Sequence, residues 1–346
     1  MKYGVIPTNP LERLALALGK IPVPVLDGVF SLLKARAIMA GVRLGIFEAM
    51  RDGDRSAAEL SRKLGLDEDS LDMLLRALVL VDYLDQRGDR YVLSKVSRKS
   101  MVSGGAMELR GFMEWNYTQW DFVAHLEELL RSGRGVDFHE SLKDREAWGH
   151  YQRAMLELAR LDAPVVASRV PVPRGATRLL DVAGSHGLLG AAVCRKHPPL
   201  RSTVVDLPQA LEHARPLALA EGVGDLVEHR AADLIHDELG SDYDVALLAN
   251  ILHHFLPQET EDVLKKVRRA LRGKGTVAIW EIERPRKGSK VKDGDGVALF
   301  FRLTSTAGAY HGSEYAEWLR SSGFDAVRIE RPLLSPGNVL VTGVAG

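Results

Sequence analysis

The sequence predicts an α/β fold, a parallel sheet covered by helices on both faces, with an α-rich unit in front of it. Three observations carry this expectation. From Arg178 onward, short apolar runs alternate with helix-length amphipathic stretches, the rhythm of successive βαβ units. Runs such as Arg178–Val182 and Tyr243–Leu248 are mostly apolar, as strands buried on both faces are. The first of them leads into a turn of mostly small residues, Ala183-Gly184-Ser185-His186-Gly187, and the next ends in an acid, Asp206. Strand, tight turn, helix, strand and acidic tip is the order in which a nucleotide-like cofactor site is written.

The 346 residues suffice for two domains, each with its own core. Apolar patches at the N-terminus are broken by Lys20, Pro22, Pro24 and Asp27, so neither a secretory segment nor a membrane span is expected. Residues 30–102 read as an α-rich unit. Leu32, Leu33, Ala37, Met39 and Leu44 recur at helical spacing, Ser56 and Glu59 form a capping-box start, and a second helix spans Ser70–Val81. Tyr83–Leu93 then reads as strand, turn, strand, which completes a winged-helix pattern. Its second helix opens with Glu68 and Asp69, the wrong sign for phosphates, so an interaction module is favoured over a DNA reader. The expected division is a winged-helix dimerisation domain over 1–105, a helical connector over 106–172 and a catalytic domain over 173–346.

The connector carries expected helices at Gly111–Arg131 and Asp144–Val170, rich in large side chains. Among these, Trp115, Trp120 and Met155, together with Phe300 and Phe301 further on, are candidates to line an apolar ligand pocket. In the catalytic part, strands are expected at Arg178–Val182, Ser202–Val205, Leu226–Arg230, Tyr243–Leu248 and Val277–Glu281. Helices at Gln209–Glu221, Glu259–Leu271 and Ser313–Ser321 alternate with them or follow them. Two closing strands, Ala326–Glu330 and Val339–Thr342, are joined closely enough to form an antiparallel edge pair. Lys+Arg and Asp+Glu are equal at 46 each, so nothing steers the chain toward nucleic acid or an anionic membrane. The single cysteine, Cys194, excludes an internal disulfide and fits a cytoplasmic, reducing setting.

The ligand crevice of such a sheet lies outside the carboxyl ends of its strands. Those ends carry Asp181, Asp206, Asp233, Asn250 and Glu281, four carboxylates and an amide that core packing does not call for. Gly184-Ser185-His186-Gly187-Leu188-Leu189-Gly190 does not keep the G-x-G-x-x-G spacing of a dinucleotide fingerprint, and Asp181 at the mouth of the turn would repel a pyrophosphate. A cofactor bearing an ammonium and a sulfonium suits these residues better. S-adenosylmethionine therefore stands ahead of NAD, with a ligand-free strand–helix turn as the plain alternative. Asp206 is placed for the two ribose hydroxyls that either cofactor carries. His253 and His254 are adjacent, so their side chains diverge, and no metal is expected there.

In register with these features, the chain resembles the dimeric small-molecule O-methyltransferases of class I, the plant phenylpropanoid and bacterial natural-product type. The resemblance covers nearly the whole length. It rests on Asp181-Val182-Ala183-Gly184-Ser185-His186-Gly187, Asp206-Leu207-Pro208, Ala232-Asp233-Leu234, Leu252-His253-His254-Phe255 and Trp280-Glu281. It implies a Rossmann-like methyltransferase domain with a mostly parallel seven-stranded sheet and an antiparallel edge strand. It further implies S-adenosylmethionine as cofactor and homodimerisation through the N-terminal domain. In its terms His253 is the general base and Glu281 its partner. The cofactor lies among Asp181, Gly184, Ser185, Gly187, Asp206, Leu207, Asp233, Leu234, Asn250 and Phe255, and the acceptor is a small hydroxylated, largely apolar compound.

The departures are specific. Ala183 and Ser185 replace glycines, and Ala249 replaces a basic residue. No acid stands near Ala309-Tyr310-His311, where the family has a second one, so Tyr310 or His311 is the expected substitute at the pocket. That loss keeps open a relative that holds S-adenosylmethionine without transferring its methyl. A winged-helix regulator with a degenerate effector domain is the rival from another class.

Overall fold

A computed structural model of the chain describes residues 4–136, 138, 142, 145–286, 288–291 and 293–346. Residues 1–117 and 118–346 form two compact units, so the stretch expected as a connector is shared between them.

In the first unit, the helix Ala57–Leu64 begins at the expected capping box: the Glu59 N–H donates to Ser56 Oγ at 3.2 Å and the Ser56 N–H to Glu59 Oε2 at 2.9 Å. The acids at the start of the helix Glu68–Leu80 have a local cause. Asp67 accepts the Ser70 N–H at 2.9 Å, and negative charge there opposes the helix dipole. Strands β1 (Arg55–Ser56), β2 (Leu84–Arg87) and β3 (Arg90–Leu93) form an antiparallel sheet in the order β1-β3-β2. The hairpin was legible in the sequence, whereas β1, only two residues long, carries no periodicity to read. Phe47, Leu60, Leu75, Leu78 and Leu84 close the core of this unit. The helices Pro10–Ala17 and Val23–Arg43 instead leave Leu11, Leu14, Phe30, Leu32 and Leu33 at least half exposed. An apolar face of that kind is a mark of an interaction surface.

The second unit holds a seven-stranded sheet: β4 (Arg178–Val182), β5 (Arg201–Asp206), β6 (Val227–Ala231), β7 (Tyr243–Ala249), β8 (Leu271–Ile282), β9 (Phe324–Glu330) and β10 (Asn338–Ala345). Their spatial order is β6-β5-β4-β7-β8-β10-β9. Neighbours from β6 to β8 are parallel, and β10 is antiparallel to both β8 and β9. The reversed strand thus lies one place in from the edge, which β9 occupies. Along the central strands, side chains alternate between two cores. Leu180, Val182, Ala246, Leu248 and Ile279 pack with the helices Pro257–Ala270 and Gly312–Ser321. Leu179, Val204, Leu247 and Trp280 face the other way, toward the helices Arg145–Arg169, Leu188–Lys196 and Pro208–Ala220. Period-two alternation feeding two apolar layers makes the central strands mostly apolar on both faces.

Where one long helix was expected over Gly111–Arg131, two occur, Arg110–Val123 and Leu126–Ser132. The expected start of the next helix, Asp144, lies outside the described residues; the helix runs over Arg145–Arg169. Cys194 is buried with a free thiol. Among the described residues, no helix is long and apolar enough to cross a membrane.

Candidate active site

The strand order sets the site. Numbering runs one way from β4 through β5 to β6 and the other way from β4 through β7 to β8, so the sheet reverses between β4 and β7. Loops diverge at such a switch point and leave a crevice. Across the carboxyl edge the polar residues follow the strands in the order Asp233, Asp206, Asp181, Asn250, Glu281.

At the centre is the turn after β4. Ala183, Ser185 and Gly187 all have positive φ, at 51°, 52° and 72°. Only Gly187 meets that conformation without steric cost. Gly187 is also demanded by space, because a Cβ there would lie 2.7 Å from Val227. Asp181 was expected at the mouth of the turn; it lies beneath it. It is 1% exposed, Gly190 donates its N–H to Oδ2 at 3.2 Å, and a Cβ on Gly184 would fall 2.4 Å from its carboxyl carbon. Burial pushes this carboxyl up to about 7. Asp206 holds the turn from the side, its Oδ2 accepting the Ser185 N–H at 2.9 Å and its Oδ1 the Leu207 N–H at 2.7 Å. Burial raises Asp206 to about 6.

At the far side of the crevice, Glu281 is fully buried. Its Oε1 accepts the N–H groups of Ile251 and Leu252 at 2.7 and 2.6 Å, and its Oε2 lies 2.9 Å from Nδ1 of His253. A buried carboxylate needs such donors to remain charged. An ionised carboxylate only accepts, so the Nδ1 proton of His253 points at Glu281, and in the neutral ring the lone pair is then on Nε2. Asn250, at φ 54°, turns the chain from β7 into the 3₁₀ turn Leu252–His254 that presents the histidine. His253 is itself 4% exposed, and its carbonyl accepts from Gly308 N–H and Ser305 Oγ, both at 3.0 Å.

Aromatic rings lie against and beyond His253. Phe301 lies 4.2 Å from the His253 ring and His254 also 4.2 Å; Phe138 follows at 5.2 Å from His254, and Tyr151 at 4.9 Å from Phe138. Phe300 is 6.0 Å from Phe301. Of the two phenylalanines expected at the pocket, Phe301 therefore stands beside His253 and Phe300 beside Phe301, and Met155 and Trp120 are half-buried in the same unit. Trp115 is buried and belongs to the first unit.

Other expected residues also have local contacts within the fold. Both carboxylate oxygens of Asp233 are used locally, by the Ile235 N–H at 2.8 Å and His236 Nδ1 at 2.9 Å, and Leu234 is in the core. Phe255 is half-buried against that core. Tyr310 is turned to the core: it packs against Tyr315 and Trp318 and donates its hydroxyl to the Phe255 carbonyl at 2.8 Å. His311 caps the next helix through Ser313. Neither replaces the missing acid. Among the described residues, no cluster of three or more metal-ligating side chains occurs.

The residues fit S-adenosylmethionine. Asp181 Oδ1 and Asn250 Oδ1, on the two strands flanking the switch point, are buried oxygens without a hydrogen-bond partner among the described residues. Asn250 Oδ1 and the Asp206 carboxylate make an acceptor-rich lining, which suits a cationic ligand with ammonium and hydroxyl donors, while Asp181 stays beneath the turn. Fold and site together define a class I methyltransferase joined to an N-terminal helical domain.

Sequence comparison carries this to a family. The family model of the O-methyltransferase domain matches residues 121–325, and that of the O-methyltransferase dimerisation domain matches residues 26–103. The chain belongs to the O-methyltransferase family, and S-adenosylmethionine is its methyl donor. It is 29% identical over 335 residues to a 3-hydroxy-5-methyl-1-naphthoate 3-O-methyltransferase of Streptomyces sahachiroi, covering 93% of this chain and 95% of that one. A mitomycin biosynthesis 6-O-methyltransferase of Streptomyces lavendulae is 28% identical over 345 residues, with 94% of each chain covered. Human N-acetylserotonin methyltransferase, solved in complex with S-adenosylmethionine, shares the fold at a TM-score of 0.81 and 16% identity, over 99% of this chain and 100% of that one.

Proposed function

We propose that this chain methylates a hydroxyl of a small, largely apolar aromatic or polyketide-like metabolite, with His253 as general base. The observation that carries this reading is the buried His253–Glu281 pair, seated among aromatic rings at the sheet edge. The cofactor supplies an electrophilic methyl on a positively charged sulfur. Gly184, Ser185 and Gly187 admit it along the turn, Asp206 holds the ribose hydroxyls, and Leu207 and Phe255 border the adenine. Asn250 offers its unsatisfied oxygen across the switch point. Phe300, Phe301, Met155 and Trp120 orient a flat acceptor and exclude water. His253 Nε2 draws off the acceptor proton as oxygen becomes nucleophilic, and Glu281 stabilises the imidazolium that forms. Holding acceptor and donor in line provides much of the rate. The acceptor class is supported by the relatives, one named for a naphthoate and one for mitomycin biosynthesis.

Two chains are proposed to pair through the N-terminal unit, whose exposed leucines and Phe30 would be covered on association. Sedimentation is expected to give the mass of two chains; a monomer at working concentration rejects the pairing. The reaction is tested by incubating the protein with methyl-labelled S-adenosylmethionine and a panel of phenols, naphthoates and aromatic polyketides. The expected result is an acceptor that gains one methyl on oxygen. Tight cofactor binding with no methylated product across the panel, or label on nitrogen or carbon, overturns the proposed acceptor class.

A further inference from the structure

His186 received no role from the sequence, yet it is 3% exposed in the middle of the cofactor turn. Its Nδ1 accepts the Leu188 N–H at 3.1 Å, at the start of the helix Leu188–Lys196. Its other nitrogen, which must then carry the proton, meets the backbone carbonyl of Met155 on the helix Arg145–Arg169. Burial holds the imidazole down to about 4, so it stays neutral at ordinary pH with one donor and one acceptor.

Two further ties surround it. Ser185 Oγ donates to Oε1 of the buried Gln152 on that same helix, and His229 Nε2 donates to the Ser185 carbonyl at 3.1 Å. Ala183 and Ser185 adopt a backbone conformation that non-glycine residues disfavour, so the turn keeps its shape only if its surroundings over-determine it.

We propose that His186 is a positioning residue for the methyl donor, clamping the cofactor turn between the helix that follows it and Met155 on the helix that carries Tyr151. The clamp makes up for the missing glycines by external ties, and it fixes the turn to the helix bearing Tyr151 and Met155 before the cofactor arrives. This inference rests on the reading that the turn holds S-adenosylmethionine.

Calorimetry with S-adenosylmethionine on His186→Ala and His186→Asn tests it. His186→Ala loses both ties and is expected to raise Kd by about tenfold or more, with kcat at saturating cofactor within about threefold. His186→Asn keeps an acceptor for Leu188 but is too short to reach Met155, and should recover part of the affinity. A purely structural role would lower thermal stability and leave Kd unmoved, and wild-type Kd in both folded variants overturns the proposal. Should His186→Ala fail to fold, His186→Asn and hydrogen exchange on the wild-type protein decide. Protected amides at Leu188–Ala191 without cofactor are expected, and rapid exchange there overturns the preset clamp. Wild-type protein that binds no S-adenosylmethionine sinks the site itself, a result distinct from bound cofactor with indifferent variants.

Discussion

His253→Ala is expected to lower kcat by about 10²–10⁴-fold while S-adenosylmethionine affinity stays within a few-fold, as measured by steady-state kinetics and calorimetry. The range is that of a lost general base, because a phenolic or enolic oxygen is a weak nucleophile until its proton leaves. The imidazole is set for the task by geometry: Glu281, 2.9 Å from Nδ1, accepts the hydrogen bond of the neutral ring's single N–H and leaves Nε2 with the free lone pair. Truncation also leaves a buried carboxylate with two N–H donors where it had three, so a lower melting temperature should accompany the kinetic loss. A variant that turns over at near wild-type rate on the same acceptor removes His253 from the chemistry.

Asp206→Ala should weaken S-adenosylmethionine binding by on the order of 10²-fold, with kcat at saturation far less affected. Two hydroxyl donors on an ionised carboxylate are charge-assisted bonds, and their loss appears in Kd. Part of the effect is indirect, since Asp206 also anchors the Ser185 N–H that shapes the turn. Asp206→Asn, which retains an acceptor but not the charge, should fall between the two. The sign of the pH dependence follows from burial, which raises this carboxyl to about 6. Above that pH the acid is ionised and affinity is flat; as pH falls through 6 the proton removes the charge and affinity drops. Unchanged binding in Asp206→Ala by calorimetry excludes the ribose assignment.

The sheet was legible because its strands are buried on both faces. Leu179, Leu180 and Val182, or Val245 through Leu248, leave no other reading for a short apolar run. The acids were legible for the complementary reason: a carboxylate at the end of such a run needs a partner, and Asp206 and Glu281 have them. What the sequence could not show was direction. Asp181 was read as facing a ligand, whereas the tight packing of Gly184 and Gly190 over its side chain places it beneath the turn. Tyr310 stands near the family's missing acid in sequence, but its ring completes a core with Tyr315 and Trp318. His186 and Gln152 escaped notice because their partners lie 31 to 33 residues from them along the chain, one a backbone carbonyl and one a serine hydroxyl. A cue existed for His186 alone, a titratable residue between two small ones in a cofactor turn.

The three acceptor contacts of Glu281 bind architecture and reactivity into a single side chain. The carboxylate that selects the imidazole's tautomer is also what folds the peptide units of Ile251 and Leu252 back toward the end of β8. A neutral amide there would present one oxygen where two are required, so the loop and the proton inventory of the ring would fail together. Inheritance therefore cannot retune this histidine by trading its acid for another polar group without rebuilding the segment that displays it. On the proposed reading, any drift in acceptor choice is left to Phe301 and the rings beyond it, which make no hydrogen bond that holds His253 in place.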